Sequence, residues 1–308
     1  DVLGRAYEYL LERFAGGSGR GEFYTPPSVV RLLVALLGDA PKSIYDPCCG
    51  SGGMFVEALR HRGSADAVWI CGQESNPETR AIARMNLALR GIVADLGPSA
   101  ADTLAHDQHP DARVDAVLAN PPFNLGSWRG EATREDPRWA RGFAPDSNAN
   151  YAWLQHIVAH LLPSGTGAVV LANGALTTRR AEEAQIRARM LDDGLVEAVV
   201  TLPDLLFYAT PIPACVWVLR GPGHGTDQRV LLVDGRALGA LKTRSQRVLQ
   251  PDDIRRVHDV LRAFRGGGAP VEPGFCTVVS RAQLAARDDL LTPGLHIPIA
   301  TPSQGPAG

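Results

Sequence analysis

The sequence predicts an α/β protein built on a mostly parallel, seven-stranded sheet with helices on both faces. Short runs rich in Val, Ile and Leu recur along the 308 residues, and amphipathic helical segments alternate with them. This alternation is typical of parallel strands joined by helical crossovers. The last two apolar runs, 214–219 and 230–233, are separated by a Gly-rich turn rather than a helix. That spacing predicts an antiparallel hairpin at one edge of the sheet.

The elements follow from local sequence signals. Residues 2–14 place their apolar side chains on one face of a helix, and Pro27 and Gly38 delimit a second helix at 27–37. Strands are predicted at 43–46, 68–72, 114–119, 168–172, 196–202, 214–219 and 230–233. Further helices are predicted at 54–60, 76–89, 151–162, 182–191 and 252–264, the last of them in a C-terminal tail.

Composition excludes several classes of protein. The chain has no apolar run of about 18 residues and no basic region followed by an apolar block, so neither a membrane span nor a secretory signal is predicted. Five cysteines without CxxC spacing argue against a zinc site and a disulfide framework. They fit the reducing cytoplasm, and we expect a cytoplasmic protein without a metal.

The net charge of −2 bears on nucleic-acid binding, because a protein that holds DNA alone usually carries a basic face. Between positions 129 and 141, three acidic residues interrupt four arginines. If DNA is the substrate, a partner must supply many of the contacts that bind it.

The chain begins without Met, and we expect it to be a segment of a longer protein. Candidates for phosphate contacts, with a solvated surface as the alternative, are Arg179, Arg180, Lys242, Arg244 and Arg247.

A Gly-rich turn follows the first strand and opens a helix, as cofactor loops of α/β proteins do. Its sequence, DPCCGSGG at 46–53, has GxGG spacing instead of the GxGxxG of dinucleotide-binding proteins. Asp46, at the strand end, would repel a pyrophosphate but suits a cofactor with a cationic part, such as the α-amino group of S-adenosylmethionine. Glu74, after the second strand, lies where a carboxylate accepts from both ribose hydroxyls.

Each of these residues also has a simpler explanation. Asp46 could cap a turn, and Glu74 could be a solvated loop carboxylate. Asp102 either borders the adenine of the cofactor or is an ordinary turn residue. Two carboxylates that follow two strand ends nevertheless favour a ribosylated cofactor. Cys48 and Cys49 are expected to be small packing residues rather than nucleophiles.

The tetrapeptide Asn120-Pro121-Pro122-Phe123 follows the apolar strand at 114–119. Two prolines stiffen the loop and remove two backbone donors, so the loop presents acceptors. The Asn120 side-chain oxygen and a proline carbonyl can both accept hydrogens from one planar NH2 group. Phe123 offers a ring face for stacking on the base that carries this group. The alternative is an ordinary turn, which Asn-Pro also begins.

With these motifs in hand, the chain resembles the modification subunit of type I restriction–modification systems, which are N6-adenine DNA methyltransferases. The resemblance covers nearly the whole chain and implies a Rossmann-like, S-adenosylmethionine-dependent methyltransferase fold. It departs from the family pattern at Cys48, where Ala is usual. The motifs that carry it are GEFYTP at 21–26, DPCCGSGG at 46–53, GQE at 72–74, ANPPFN at 119–124, DPRW at 136–139, SNA at 147–149, WLQH at 153–156, LFY at 206–208, IP at 212–213, VVS at 278–280 and the segment 288–297.

The resemblance also implies roles for particular residues. Asp102 would lie near the adenine of the cofactor, and the loop at 120–123 would hold the target adenine. The residues implied to fold over the methionine end of the cofactor are Glu22, Phe23, Tyr24, Thr25 and Pro26. Those implied to line the rest of its site are Asp46, Gly50, Ser51, Gly52 and Glu74.

The family further implies partners and domain limits. The implied partners are double-stranded DNA, a specificity subunit that reads the DNA sequence, and a restriction subunit, with two modification subunits per specificity subunit. We expect a methyltransferase domain at 21–235 and a tail region at 236–300. Residues 1–20 would be the last helix and linker of a preceding helical domain, and 301–308 would be disordered.

Three alternatives to a DNA methyltransferase stay open to different degrees. Asn-Pro-Pro-aromatic loops also occur in enzymes that methylate protein glutamine or the exocyclic amine of guanine in ribosomal RNA. The segments 22–26 and 128–155 favour the DNA enzyme over both. A catalytically silent cofactor-binding assembly subunit is disfavoured by intact Asp46, Glu74 and Asn120.

Tyr151 and Trp153 could form a second wall of the base pocket or could simply pack their helix on the sheet.

Overall fold

A single eight-stranded sheet runs through the centre of the protein. The computed structural model describes residues 25–38, 40–61, 67–207, 212–224 and 227–299. Within these ranges the helices are α1 (Pro27–Leu37), α2 (Gly53–His61), α3 (Pro77–Ala88), α4 (Asn150–His160), α5 (Gly174–Thr177), α6 (Ala181–Asp192), α7 (Pro251–Arg265) and α8 (Arg281–Ala285). The strands are β1 (Ser43–Asp46), β2 (Trp69–Gly72), β3 (Val114–Ala119), β4 (Leu161–Ala172), β5 (Val196–Thr201), β6 (Ala214–Arg220), β7 (Val230–Asp234), β8 (Ala240–Thr243), β9 (Gln246–Val248) and β10 (Cys276–Val279).

The strand order in the main sheet is β10-β7-β5-β6-β4-β3-β1-β2. Strands β2, β1, β3 and β4 are parallel neighbours, and β5 is parallel to β7. Only β6 and β10 run in the opposite direction, and β10 forms one edge of the sheet. The prediction of a mostly parallel sheet with an antiparallel edge is therefore confirmed, but the sheet has eight strands instead of the predicted seven, because β10 adds to its edge.

The predicted pairing of 214–219 with 230–233 is wrong. Strand β6 lies between β4 and β5 and is antiparallel to both, whereas β7 pairs with β5 and β10. The hairpin is instead formed by β5 and β6, each of which is buried along its whole length. A strand buried in this way needs hydrogen-bonding neighbours on both edges, which a position at the sheet edge cannot provide.

The sheet separates two apolar cores, because successive residues of a strand face opposite sides. Ile44 belongs to the core beneath α1, α2 and α7, and the next residue, Tyr45, belongs to the core beneath α4 and α6. Helix α7 buries Val257, Leu261 and Phe264, which lie on one helical face. Ten of the eleven residues of α4 are buried, so this helix is covered on all sides.

Several local features differ from the sequence predictions. The helix predicted at 151–162 ends at His160, and β4 starts directly afterwards. No element was predicted where α5, the β8–β9 hairpin, β10 and α8 lie, since all of them are very short. The predicted helix 2–14 and the terminal residues 301–308 lie outside the described residues. No helix in the described ranges is long and apolar enough to cross a membrane.

Candidate active site

The candidate site lies at the carboxyl ends of three neighbouring parallel strands, β2, β1 and β3. Asp46 is the last residue of β1, Glu74 follows β2 by two residues, and Asn120 follows β3 directly. Parallel strands end at the same edge of a sheet, so the loops that carry these three side chains converge there. Ligands of open α/β sheets bind at this edge.

Asp46 is a buried carboxylate with one unsatisfied oxygen. Its side chain is 1% exposed, and its Oδ1 accepts a hydrogen bond of 3.0 Å from the Cys48 backbone N–H. Its Oδ2 has no hydrogen-bond partner among the described residues. Burial raises the pKa of Asp46 from 3.8 to about 7, the Cys48 hydrogen bonds oppose this, and the charge of Glu74 adds to it. A buried acceptor of this kind is costly unless a ligand donor or cation meets it.

The Gly-rich turn after β1 depends on two glycines in the left-handed region, Gly50 at φ 53° and Gly52 at φ 76°. A Cβ on Gly52 would lie 3.3 Å from Cγ of Leu87 in α3, so the loop is close-packed on that side. A Cβ on Gly50 would meet nothing within 4 Å. The loop therefore packs on α3 at Gly52 and is open at Gly50, where a ligand can approach the backbone.

Glu74 connects this loop to α3. Its Oε2 accepts from the Gly50 backbone N–H at 3.0 Å, and its Oε1 accepts from the Asn76 N–H at 2.8 Å. A carboxylate oxygen can accept two hydrogen bonds. Because Oε1 also accepts from the Ser75 hydroxyl at 3.4 Å, Oε2 is the oxygen that keeps capacity for a ligand hydroxyl. The side chain is half-buried and held in place by backbone donors on both sides.

Asp102 is exposed, and its Oδ1 accepts from the Leu104 N–H at 2.9 Å, as a turn residue does. Its loop is attached to β2 by Gln73, a residue for which the sequence predicts no role. Gln73 is fully buried; its Nε2 donates to the carbonyls of Ala101 (3.1 Å) and His106 (2.7 Å), and its Oε1 accepts from the Gln108 N–H (3.0 Å). Its position directly after a buried strand, next to Glu74, was the available signal.

The Asn120 amide is held at one end and unpaired at the other. Its Nδ2 donates to Thr25 Oγ1 at 2.8 Å, whereas its Oδ1 is buried without a partner among the described residues. Pro121 is buried and Pro122 is exposed. The Cys48 thiol lies within hydrogen-bonding reach of the Asn120 backbone, so the Gly-rich loop and the Asn120 loop are in contact. Burial raises the pKa of this thiol, which fits the predicted packing role.

Phe123 forms an edge-to-face pair with Phe207, with ring centroids 5.9 Å apart and an interplanar angle of 74°. Asn124, at φ 54°, ends the loop, and its Oδ1 accepts from Asn150 Nδ2 at 3.0 Å. Asn150 is buried at the start of α4. The loop is therefore anchored at both ends, by Thr25 and by Asn150.

Burial decides between the two roles considered for Tyr151 and Trp153, a wall of the base pocket or packing of their helix. Tyr151 is fully buried, donates to the Ala175 carbonyl at 2.7 Å and packs edge-to-face on Trp217. Trp153 is 4% exposed. Both residues pack α4 against its surroundings and neither lines an open pocket. Glu22, Phe23 and Tyr24 lie outside the described residues, and Pro26 is buried at the start of α1.

Asp107, His156 and His160 form a buried cluster with the arrangement of metal ligands, their ligand atoms lying within 4.8 Å of one another. The Arg138 guanidinium donates to His156 Nδ1 at 3.0 Å and lies 3.9 Å from Asp107. Burial lowers the pKa of His156. Burial alone would raise the pKa of Asp107, but the hydrogen bond and charge of His160, 3.1 Å away, lower it. The guanidinium supplies the positive charge that a metal ion would bring.

The fold defines a broad class of protein. The fold is that of the S-adenosylmethionine-dependent methyltransferases: a Listeria monocytogenes structure described as a putative class I member has a TM-score of 0.64 at 18% identity. That likeness covers 83% of this chain and 77% of the other. More narrowly, the chain belongs to the N-6 DNA methylase family, whose model matches residues 1–304. The family inferred from the motifs is confirmed.

Several relatives are methylase subunits of type I restriction enzymes. The HindI methylase subunit of Haemophilus influenzae is 41% identical over 304 residues, which cover 96% of this chain and 68% of that protein. The MjaIX methylase subunit of Methanocaldococcus jannaschii is 34% identical, covering 99% and 57%. A Streptococcus thermophilus structure described as a type I restriction-modification methyltransferase subunit has a TM-score of 0.86 at 30% identity, covering 97% and 64%. The chain thus spans roughly 57–68% of the length of these relatives.

Proposed function

We propose that this chain transfers a methyl group from S-adenosylmethionine to the N6 amino group of adenine in DNA, as the modification subunit of a type I restriction–modification complex. The observation that carries the proposal is the Asn120 amide, whose oxygen is buried and unpaired while its nitrogen is held by Thr25. An acceptor kept in this state at a ligand-binding edge suits a donor such as a planar amine.

The residues around β1 and β2 fit S-adenosylmethionine. The unpaired Asp46 oxygen is suited to the α-amino group, the open backbone at Gly50 allows close approach, and Glu74 Oε2 has acceptor capacity for a ribose hydroxyl. When bound, this cofactor supplies a methyl group bonded to a sulfonium sulfur, and the sulfur leaves as a neutral thioether. Further residues proposed for its site are Glu22, Phe23, Tyr24, Thr25, Pro26, Ser51, Gly52 and Asp102.

The Asn120 loop would act on the target amine. The nitrogen lone pair of an aromatic amine is delocalised into the ring, which makes it a poor nucleophile. Asn120 Oδ1 and the Pro121 carbonyl can accept its two hydrogens and draw the nitrogen towards tetrahedral geometry. Phe123, supported by Phe207, offers a stacking surface that offsets part of the few kcal/mol needed to turn a base out of the duplex. Positioning supplies most of the acceleration in such a transfer.

The remaining partners follow from this proposal. We propose double-stranded DNA as the substrate and a separate specificity subunit that selects the site. A restriction subunit and two modification subunits per specificity subunit complete the proposed complex. The net charge of −2 supports this division, since the chain lacks the excess of basic residues typical of proteins that hold DNA alone.

The test is transfer of labelled methyl groups to DNA by the full chain with its specificity subunit, followed by mapping of the modified base. We expect N6-methyladenine, and we expect Asn120→Ala to lose transfer while cofactor binding stays within about twofold, because the amide acts on the target amine. Asn120→Asp is the matched control, since it keeps an acceptor at the same position. Labelling of protein or RNA instead of DNA, or normal turnover by Asn120→Ala, would overturn the proposal.

A further inference from the structure

Thr25 lies two residues before α1, and its hydroxyl oxygen accepts from Asn120 Nδ2 at 2.8 Å across 95 positions of the chain. We infer that Thr25 is a positioning residue that fixes which end of the Asn120 amide faces the target amine. The family resemblance assigns Thr25 only to the cofactor site. This inference rests on the proposed function and adds a specific role within it.

The orientation of the amide decides whether Asn120 can hold an amine at all. The oxygen and nitrogen ends of a primary amide have nearly the same shape, but one accepts hydrogen bonds and the other donates them. An aromatic amine presents donors, so only the orientation with Oδ1 towards it is productive. Reversing the amide would turn both Nδ2 hydrogens towards another donor, and it would leave them without an acceptor before the base arrives.

The observed contacts favour the productive orientation. With Nδ2 bonded to Thr25, Oδ1 is the amide atom that has no partner among the described residues, and a carbonyl oxygen is tolerated in that state more readily than an N–H group. After reversal, a hydroxyl turned to donate could still pair Oδ1, but both Nδ2 hydrogens would then be unpaired, whereas in the observed orientation one of them is bonded to Thr25. A single hydroxyl group therefore sets the direction of the amide.

Both partners of this bond are attached to rigid elements, which gives the contact a defined geometry. Asn120 directly follows β3, which is buried along most of its length. Thr25 precedes a helix whose Val29, Leu33 and Leu36 are fully buried. Because the two ends cannot drift apart without disturbing the core, the Asn120 amide cannot easily find another partner.

The test separates positioning of Asn120 from binding of the cofactor. In the full chain with its specificity subunit, Thr25→Val should lower kcat for DNA methylation about tenfold, the effect of losing one hydrogen bond. The cofactor Kd, measured by calorimetry on the full chain, should change less than kcat does, because a valine keeps the shape of the threonine in the proposed cofactor site. Thr25→Ser should restore kcat, and Thr166→Val is the matched control, since Thr166 lies in β4 beside Ala116, ahead of the strand ends that carry the site.

A double-mutant cycle tests the orientation argument directly. A carboxylate has two equivalent oxygens, so on the Asn120→Asp background Thr25→Val should change kcat by less than about twofold. The ¹⁵N signals of the Asn120 side chain, assigned by their loss in Asn120→Asp, should shift in Thr25→Val without DNA or cofactor. That readout is independent of methyl transfer, so a wild-type chain that fails to label DNA would refute the proposed function and leave the positioning role intact.

Three results would overturn the inference. The first is unchanged kcat in Thr25→Val. The second is an equal loss of kcat when Thr25→Val is made on the Asn120→Asp background. The third is a tenfold weaker cofactor Kd with normal kcat, which would make Thr25 a cofactor-binding residue only.

Discussion

The raised pKa of Asp46 predicts a pH dependence of cofactor binding. In the free protein burial places this pKa at about 7, so below neutral pH the carboxyl group is mostly protonated. A cationic α-amino group binds the ionised form, and binding below this pKa must first remove the proton. The cofactor Kd should therefore rise about tenfold for each pH unit below 7. Between pH 7.5 and pH 5.5 we expect a rise of about 25-fold.

The assay is calorimetric titration of the full chain with S-adenosylmethionine over this range. The range stops at pH 7.5 because the α-amino group of the cofactor itself titrates near 8. Asp46→Asn should bind more weakly and show no such slope, whereas Asp102→Asn, in the neighbouring loop, should keep the slope because Asp46 is intact. A wild-type Kd that is constant over this range, or an equal slope in Asp46→Asn, would refute the reasoning.

The same pKa also affects the stability of the free protein. The folded chain holds the Asp46 proton up to about pH 7, whereas the unfolded chain releases it near 3.8, so stability falls as the pH rises between these values. The difference between these two pKa values corresponds to a loss of about 4 kcal/mol in the free energy of unfolding. Without cofactor, Asp46→Asn should thus be more stable than the wild type at pH 8. The two should converge near pH 4, which denaturant unfolding at both pH values would check.

Two further predictions concern the loops that carry the site. Gly52→Ala should lower the free energy of unfolding by about 1–2 kcal/mol because of the left-handed backbone and the contact with Leu87. The control in the same denaturant assay is Gly174→Ala, because a Cβ at Gly174 would meet open space. Equal effects of the two substitutions would contradict the argument. Gln73→Leu should release the loop at 101–108 by removing three hydrogen bonds. Amide hydrogen exchange in that loop should accelerate at least about tenfold, and unchanged protection would show that Gln73 does not hold it.

Much of the secondary structure could be predicted because its signals are local. The limits of α1, β1 and β3 match the sequence prediction residue for residue, since a proline, a glycine or a polar residue follows each apolar run directly. Strand pairing could not be predicted in the same way, because it joins segments far apart in the chain. Nothing near β6 indicates that it lies between β4 and β5, and β10 is only four residues long.

The candidate site likewise contains residues that could be predicted from local sequence and residues that could not. Asp46, Glu74 and Asn120 could be selected from the sequence, because polar residues at the ends of buried strands contribute little to packing. Arg138, in contrast, belongs to a stretch of mixed charge that suggests a solvated surface. In the fold it is 8% exposed and donates to His156 and to the carbonyls of Thr103 and Leu104.

The sequence by itself determined the fold class, the family and the three polar residues at the strand ends, because apolar periodicity and short motifs are properties of neighbouring residues. Only the tertiary structure decided how these residues are held. The bond between Thr25 and Asn120 and the unpaired oxygens of Asp46 and Asn120 exist only once distant segments pack together. Burial then removes water from these groups, and that loss of solvent makes their few remaining partners decisive.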